Sequence, residues 1–243
     1  SRGLGDVYKR QEYEAGVEMG RFFAEKGIKT AAIYGAFIPN PMHVYRVAGV
    51  LSGLGLSYDG ATEEGEVVGK IFTDQSVDLS KISGDIQIVS YLQGYGDTTT
   101  DEINAAIQAK PEAFISVGMA TTFFTQQLNA AGIEFSDIDS FTQSNGEAIT
   151  NGKLVYLAGK YSSSVGPAFA LVLNAINGNV IRDEQGNAVS LSQNYQVATD
   201  EATFDEFYKS DNGDNPIYNK ETLDQSIGES VTFDEINELV TSK

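Results

Sequence analysis

The sequence predicts an α/β fold, a parallel sheet flanked by helices on both faces and followed by a helical carboxyl-terminal tail. Three observations carry this. From Thr30 to Leu157, short apolar runs alternate with segments of helical period, the pattern of parallel strands joined by right-handed crossovers. Gly27 to Gly53 reads as an apolar run, a Pro/Asn-rich break and an apolar-periodic segment carrying Arg46. A strand that feeds a helix through such a loop is where open α/β sheets hold ligands. After Val165 the alternation stops, and helical segments dominate to the end.

Taken in order, Glu12 to Lys26 sets Ala15, Met19, Phe22 and Phe23 at helical spacing and stops at Gly27, a residue suited to a left-handed turn. Thr30 to Tyr34 is a short strand and Met42 to Leu54 a helix, with the acidic stretch Ser57 to Glu66 expected as a surface loop. Asp85 to Leu92 is the next strand, and Thr98 is a plausible N-cap for a helix through Ala109 that Pro111 ends. Ala113 to Val117 is a buried type of strand, Thr121 to Ala131 a helix closed by Gly132, and Ile138 to Phe141 a strand. Glu147 to Asn151 is a short helical piece before a strand from Leu154 to Leu157. Val165 to Ile176 is an apolar helix, a hairpin turns at Gly186 and Asn187, and Leu191 to Ala198 is extended. Three tail helices follow at Ala202 to Tyr208, Lys220 to Ser226 and Phe233 to Val240, the last with Thr232 and Glu235 in capping-box spacing.

Composition bounds the function. The 243 residues are 41% hydrophobic and 10% aromatic, a globular balance with room for one large or two ordinary domains. Sixteen Lys and Arg against 34 Asp and Glu give a formal charge of −18, which repels phosphate backbones and anionic lipid, so no nucleic-acid partner is expected. There is no cysteine and a single histidine, so neither a disulfide framework, a thiolate site nor a metal centre is expected. No apolar run approaches the roughly 18 residues of a membrane span. No nucleophile elbow, phosphate loop or dinucleotide fingerprint occurs, and the reading is of a non-enzyme with no catalytic residues and no cofactor. Residues 1–11 carry no apolar periodicity and look like translated linker or adapter sequence, so they are expected to be a non-native or disordered leader, with a natural frayed terminus as the alternative.

Candidate ligand residues cluster at the predicted strand ends. An arginine such as Arg46 can fork hydrogen bonds onto an oxygen-rich ligand, or it can be a solvated helix residue. His43 lies in the same loop-to-helix region, where packing is its other reading. Phe37, Tyr91 and Tyr95 stand at or just after strand ends, where aromatic faces stack on flat ligands or simply pack.

Four strings carry a family resemblance: Arg46 with Gly49 and Val50 after a strand and loop; the strand and helix from Ala113 that close on Ala131 and Gly132; the turn Asn151, Gly152, Lys153 and Leu154; and the apolar helix from Val165. From Glu12 to Ala198 the chain thereby resembles the second lobe of type I periplasmic solute-binding proteins, the ribose-binding and lactose-repressor-like superfamily. The resemblance implies a second α/β lobe at 12–161, a helix at 162–179 that belongs to a first lobe largely missing from this chain, a hairpin and strand at 180–199 returning to the second lobe, and a tail at 200–243. It implies that Val117, Gly118, Thr142, Gln143 and Lys160 stand at ligand-facing positions. Sugar binders there usually carry an Asn-Asp pair, an Asp and a hinge glutamine. Arg46 with Lys160 would favour a ligand with an anionic or carbonyl group, unless Lys160 pairs with a protein carboxylate.

The implied function is the substrate-binding component of an ABC-type importer, which captures a small polar ligand, a sugar or a sugar-like molecule that is neutral or anionic, between two lobes and delivers it to a permease. Its place would be extracellular or periplasmic, lipid-anchored in the complete protein. The alternatives are the effector-binding domain of a lactose-repressor-like regulator and the sensor domain of a signalling receptor. With the first lobe missing, Val165, Phe169, Val172 and Ile176 should form a helix face left exposed, or covered by the tail or another chain.

Overall fold

The computed structural model describes residues 4–95, 97–183, 185–191 and 193–241, with the side chains of all of these except 4–9, 97, 98 and 139. The chain runs α1 (Leu4–Glu25), β1 (Thr30–Tyr34), α2 (Pro41–Gly53), β2 (Ser57–Tyr58), α3 (Glu64–Asp74), β3 (Ile82–Ser83) and β4 (Gln87–Leu92). It continues α4 (Asp97–Gln108), β5 (Ala113–Ser116), α5 (Ala120–Phe123), α6 (Thr125–Ala131), β6 (Glu134–Asp139), α7 (Gln143–Thr150) and β7 (Leu154–Gly159). The last part is α8 (Val165–Ile176), β8 (Gln196–Ala198), α9 (Glu201–Asn212), α10 (Lys220–Asp224) and α11 (Phe233–Thr241).

The main sheet has the order β4-β1-β5-β6-β7-β8, parallel throughout except for β8, which runs antiparallel to β7. Ala31–Tyr34 of β1 and all of β5 are buried, the continuous apolar run of strands covered on both faces. Right-handed crossovers that reverse direction after β4 put α1, α2 and α3 on one face and α4 to α7 on the other, and the contacts α1 to α2, α2 to α3, α4 to α6 and α5 to α7 follow that division.

α1 and α2 pack without side chains between them. A Cβ on Gly16 would lie 2.1 Å from the Arg46 carbonyl oxygen, and one on Gly20 2.4 Å from that of Val50. In return, a Cβ on Gly49 would lie 2.1 Å from the Tyr13 carbonyl oxygen and one on Gly53 2.2 Å from that of Val17. Both helices thus carry glycines four residues apart, Gly16 and Gly20 against Gly49 and Gly53, and they run parallel in backbone contact. This is the physical reason a glycine stands three residues after Arg46.

Several boundaries differ from the sequence reading. α1 begins at Leu4, so residues 4–11, read as a leader outside the fold, continue the helix; extending a nucleated helix costs little per residue, and Gln11 Nε2 donates to the Gln193 carbonyl at 2.7 Å. Residues 1–3 lie outside the described residues. The loop expected at Ser57 to Glu66 contains β2, paired with β3, and leads into α3. Two glycines, at about 1 kcal/mol each against alanine, mask a helix whose Val67, Val68 and Ile71 are buried. β6 begins at Glu134 rather than Ile138, because buried Ser136 and Asp137 interrupt its apolar pattern. The helix expected from Thr121 is broken at Phe124, whose φ of −127° leaves the helical region. α7 starts at Gln143 rather than Glu147. The side chains of Asp97 and of the candidate cap Thr98 lie outside the described residues.

α8 has two unlike faces. On one, Asn174 is fully buried, its Nδ2 donating to the Ser226 carbonyl (2.8 Å) and its Oδ1 accepting from Gly228 N (2.9 Å), which pins the tail to the helix. On the other, Val165 (69%), Phe169 (54%), Val172 (54%) and Ile176 (73%) are exposed. The tail therefore covers only one side. Its final helix opens with the expected capping box: Thr232 N donates to Glu235 Oε2 (2.8 Å) and Glu235 N to Thr232 Oγ1 (3.4 Å).

Candidate functional site

The connection from β1 leads outward to β4, and the next one returns across β1 to β5. The loops after β1 and β5 therefore diverge, and the carboxyl ends of these two strands are the topological switch point, where open α/β sheets form their ligand crevice. Asn40 caps α2 there, accepting from Met42 N at 3.0 Å, and Pro41 occupies the first turn. His43 is buried one turn in, with Nδ1 2.9 Å from both the amide nitrogen and the carbonyl oxygen of Phe37. The ring thus ties loop to helix whichever nitrogen carries the proton. A Cβ on Gly118, just past β5, would lie 3.8 Å from His43 Nε2 and 3.6 Å from Arg46 Nη1. His43, Arg46, Val117 and Gly118 therefore meet at the crevice floor.

Arg46 does not reach outward as an open fork. It is buried, and each nitrogen donates within the protein: Nε to Glu12 Oε2 (2.6 Å), Nη1 to the Val117 carbonyl (2.9 Å) and Nη2 to the Tyr195 hydroxyl (2.7 Å). The Tyr195 hydroxyl lies 2.8 and 3.0 Å from the two Glu12 carboxylate oxygens. Burial works against the Arg46 charge, but Tyr195 and Glu12 more than offset it and hold the guanidinium pKa above its ordinary value. The compensation that a buried cation needs comes from Glu12, which the sequence reading did not single out. Its signal was its place three residues before Ala15 and seven before Met19, on the apolar face of α1.

Lys160 follows β7 and also meets Tyr195, its Nζ 4.4 Å from the centre of the tyrosine ring. It forms no ion pair with a carboxylate among the described residues. Burial lowers its pKa, Glu12 raises it and Arg46 lowers it further. Thr142 and Gln143 are exposed at the start of α7, and both are engaged there. Thr142 Oγ1 accepts from Asn145 N at 3.3 Å as the helix cap, and Gln143 Nε2 donates to Glu147 Oε1 at 3.0 Å.

The aromatic candidates divide. Phe37 and Tyr95 are about half exposed, and Gly94 N donates to the Ala36 carbonyl, which holds their two loops together. Tyr95 packs against Tyr34 and against Phe123, itself exposed, so an aromatic lip borders the crevice. Tyr91 instead packs over Gly35, with its hydroxyl on Gln93 Oε1 at 3.0 Å. The β5 loop is held from below by a residue missed in the sequence: Asp137, fully buried, accepts from Thr121 N (2.7 Å) and from Ser116 Oγ (3.1 Å), and Ser116 Oγ in turn accepts from Gly118 N.

Burial lowers the His43 pKa, with the Phe37 backbone opposing and Arg46 reinforcing the shift. The unfolded chain then takes up a proton near pH 6.5 while the folded chain resists it, so stability is complete above that pH and falls as pH drops through it. Thermal midpoints measured from pH 7.5 to 5 should decline more steeply for the native chain than for His43→Gln. Equal slopes would remove His43 from the account.

Among the described residues no group of His, Cys, Asp or Glu is placed to hold a metal ion, and no helix is long and apolar enough to cross a membrane.

Among solved structures, the chain is similar to a periplasmic solute-binding protein of an ABC transporter from Actinobacillus succinogenes 130z with bound D-allose. The TM-score is 0.55 at 14% identity, over 81% of this chain and 61% of that one. The arabinose-transporter binding protein of Shewanella sp. ANA-3, bound to L-arabinofuranose, matches with TM-score 0.54 at 16% identity, over 82% and 60%. A sugar-binding protein of a Bacillus halodurans sugar ABC transporter matches at 0.56 and 12%, over 81% and 64%. At these identities the likeness is one of fold. The chain spans about 60% of the length of these proteins. No protein-family model and no curated protein matches it.

Proposed function

We propose that this chain, whose fold is that of the type I periplasmic solute-binding proteins, binds a small sugar or sugar-like solute at the crevice between β1 and β5. In this reading it is the solute-capturing component of an ABC-type importer, acts without catalysis, and works outside the cytoplasm, lipid-anchored in the complete protein, where it hands its ligand to a permease. The observation that carries it is the convergence of His43, Arg46, Val117 and Gly118 at the switch point beneath the lip of Phe37 and Tyr95.

The pre-paired Arg46 gives the floor a fixed polar geometry. Its Glu12 partner cancels the charge that would otherwise demand an anion at this point. Residues 12–161 and 180–199 form the ligand lobe, and the exposed α8 face of Val165, Phe169, Val172 and Ile176 is the surface on which a first lobe closes. Closure of two lobes over a solute is a hinge motion, and one lobe alone supplies half the contacts.

The test is a thermal-shift screen of the chain against D-allose, L-arabinose, D-galactose, nucleosides and amino acids. A ligand at 100 times its dissociation constant stabilises by about 2.7 kcal/mol. A rise confined to sugars at millimolar concentration is expected. A rise with amino acids or nucleosides and none with sugars would overturn the reading.

A further inference from the structure

We infer that Asn151 is a site of spontaneous deamidation in the folded chain, its side-chain amide closing on the backbone nitrogen of Gly152 to leave an aspartyl or isoaspartyl residue. This inference does not depend on the solute reading of the crevice. Four asparagines precede a glycine: Asn145, Asn151, Asn177 and Asn212. At such a step no Cβ shields the following nitrogen, and the short asparagine side chain reaches the neighbouring backbone by itself. The sequence makes the four equal, and the structure separates them.

Two of the four are held at both reacting groups. Asn145 is buried in α7, with Nδ2 donating to the Ser140 carbonyl (2.9 Å) and Oδ1 accepting from Thr142 Oγ1 (2.8 Å), while Gly146 N donates to the Thr142 carbonyl (3.1 Å). Asn212 is exposed, but its Nδ2 donates to the carbonyls of Phe141 (3.0 Å) and Tyr208 (3.3 Å), and Gly213 N donates to that of Lys209 (2.9 Å). Asn177, just past α8, is exposed with no side-chain partner among the described residues, yet Gly178 N donates to the Ala175 carbonyl (3.2 Å). Asn151 alone leaves both groups open among the described residues. It is exposed, its side chain has no partner, and Gly152 N has no acceptor. The reason is its place in the chain. α7 ends at Thr150, and the ladder to β6 starts only at the Lys153 carbonyl, which accepts from Phe135 N (2.8 Å). The nearby Asn129 side chain accepts from Lys153 N (2.9 Å) rather than from Gly152.

The reaction balances with water as the only co-reactant. Gly152 N gives its proton to solvent base and attacks Asn151 Cγ. The Cγ–Nδ2 bond then breaks, ammonia leaves with a proton taken from solvent, and a five-membered succinimide remains. Water opens the ring at either carbonyl: cleavage at Cγ gives aspartate, and cleavage at the main-chain carbonyl routes the chain through Cβ and Cγ as isoaspartate. Each event exchanges one amide for one carboxylate. The new charge stands at the carboxyl end of α7, where the helix dipole opposes it, and one turn from Glu147, whose carbonyl accepts from Asn151 N. The isoaspartyl form also lengthens the turn into β7 by one backbone atom.

The experiment is incubation of the whole folded chain in mildly alkaline buffer, with peptide mapping by mass spectrometry and isoaspartyl methyltransferase labelling at intervals. Asn151 is expected to convert severalfold faster than Asn177, with Asn145 and Asn212 unchanged over the same period. The rate should rise with pH, because the attacking nitrogen must first lose its proton. The same incubation in concentrated urea, which unfolds the chain, should bring the four rates close together. Asn151→Gln, whose longer side chain would have to close a six-membered ring, should remove the isoaspartyl signal from that peptide while leaving the circular dichroism spectrum native. Asn177 or Asn212 reacting as fast as Asn151 in the folded chain would overturn the assignment. A spread of rates in urea equal to that in the folded chain would overturn it too, since the selectivity would then owe nothing to the fold.

Discussion

Gly49→Ala is expected to destabilise the chain by about 2–3 kcal/mol, and Gly49→Leu to prevent folding. The added Cβ would sit 2.1 Å from the Tyr13 carbonyl oxygen, 2.9 Å from Val17 N and 3.0 Å from Gly16 Cα. All three are backbone atoms of α1, so no side chain can turn aside and the whole helix must retreat. The retreat would carry Glu12 away from Arg46 and loosen the crevice floor, so the effect reaches the site as well as stability. The control is the same substitution on α3. A Cβ on exposed Gly69 meets nothing within 4 Å, so Gly69→Ala should stabilise by about 0.5–1 kcal/mol through helix propensity alone. Urea denaturation of the two variants should move the midpoint in opposite directions. A Gly49→Ala midpoint equal to that of the native chain would mean that the helices are not in backbone contact.

Removing either half of the Glu12–Arg46 pair is the second large effect. Arg46→Met leaves the Glu12 carboxylate, with 1% of its side chain exposed, without its cation, and Glu12→Gln leaves a buried guanidinium. Breaking a buried pair from one side typically costs about 3–5 kcal/mol, whereas replacing both partners by apolar groups is often near neutral. The double variant Glu12→Leu/Arg46→Met should therefore be more stable than either single variant. It should still lose solute binding if the Arg46 hydrogen bond to Val117 positions the β5 loop. Denaturation measurements on the two singles and the double give the coupling directly. Simple additivity would mean that the pair is not formed.

How much of this was legible in the sequence follows from which interactions are local. β1, β5, α8 and the tail helices were readable because burial on both faces writes an unbroken apolar run, and a buried helix stripe writes its own period. Gly27 and Gly132 also act as read, both with φ near +70 to +80° after a helix. β6 and α3 were obscured for opposite reasons. Asp137 places a buried carboxylate mid-strand that only three-dimensional partners satisfy, and Gly65 and Gly69 weaken a helix that burial of Val67, Val68 and Ile71 rescues.

At the site, Arg46 was found from its place after a strand and loop, but its role was not. Glu12 is 34 residues away in sequence and Tyr195 149 residues away, and no local pattern brings them together. Lys160 was singled out through the family resemblance alone. Only the structure separates it from Arg46, because one cation is neutralised by a carboxylate and the other lies over a tyrosine ring.

A bound sugar should touch the chain at the carboxyl ends of β1 and β5. Amide NMR shifts recorded while D-allose or L-arabinose is added should be largest at Phe37, His43, Val117 and Gly118, around the β1/β5 switch point, and absent from the exposed face of α8. Shifts centred on α8 or the tail, with none at the ends of β1 and β5, would contradict it.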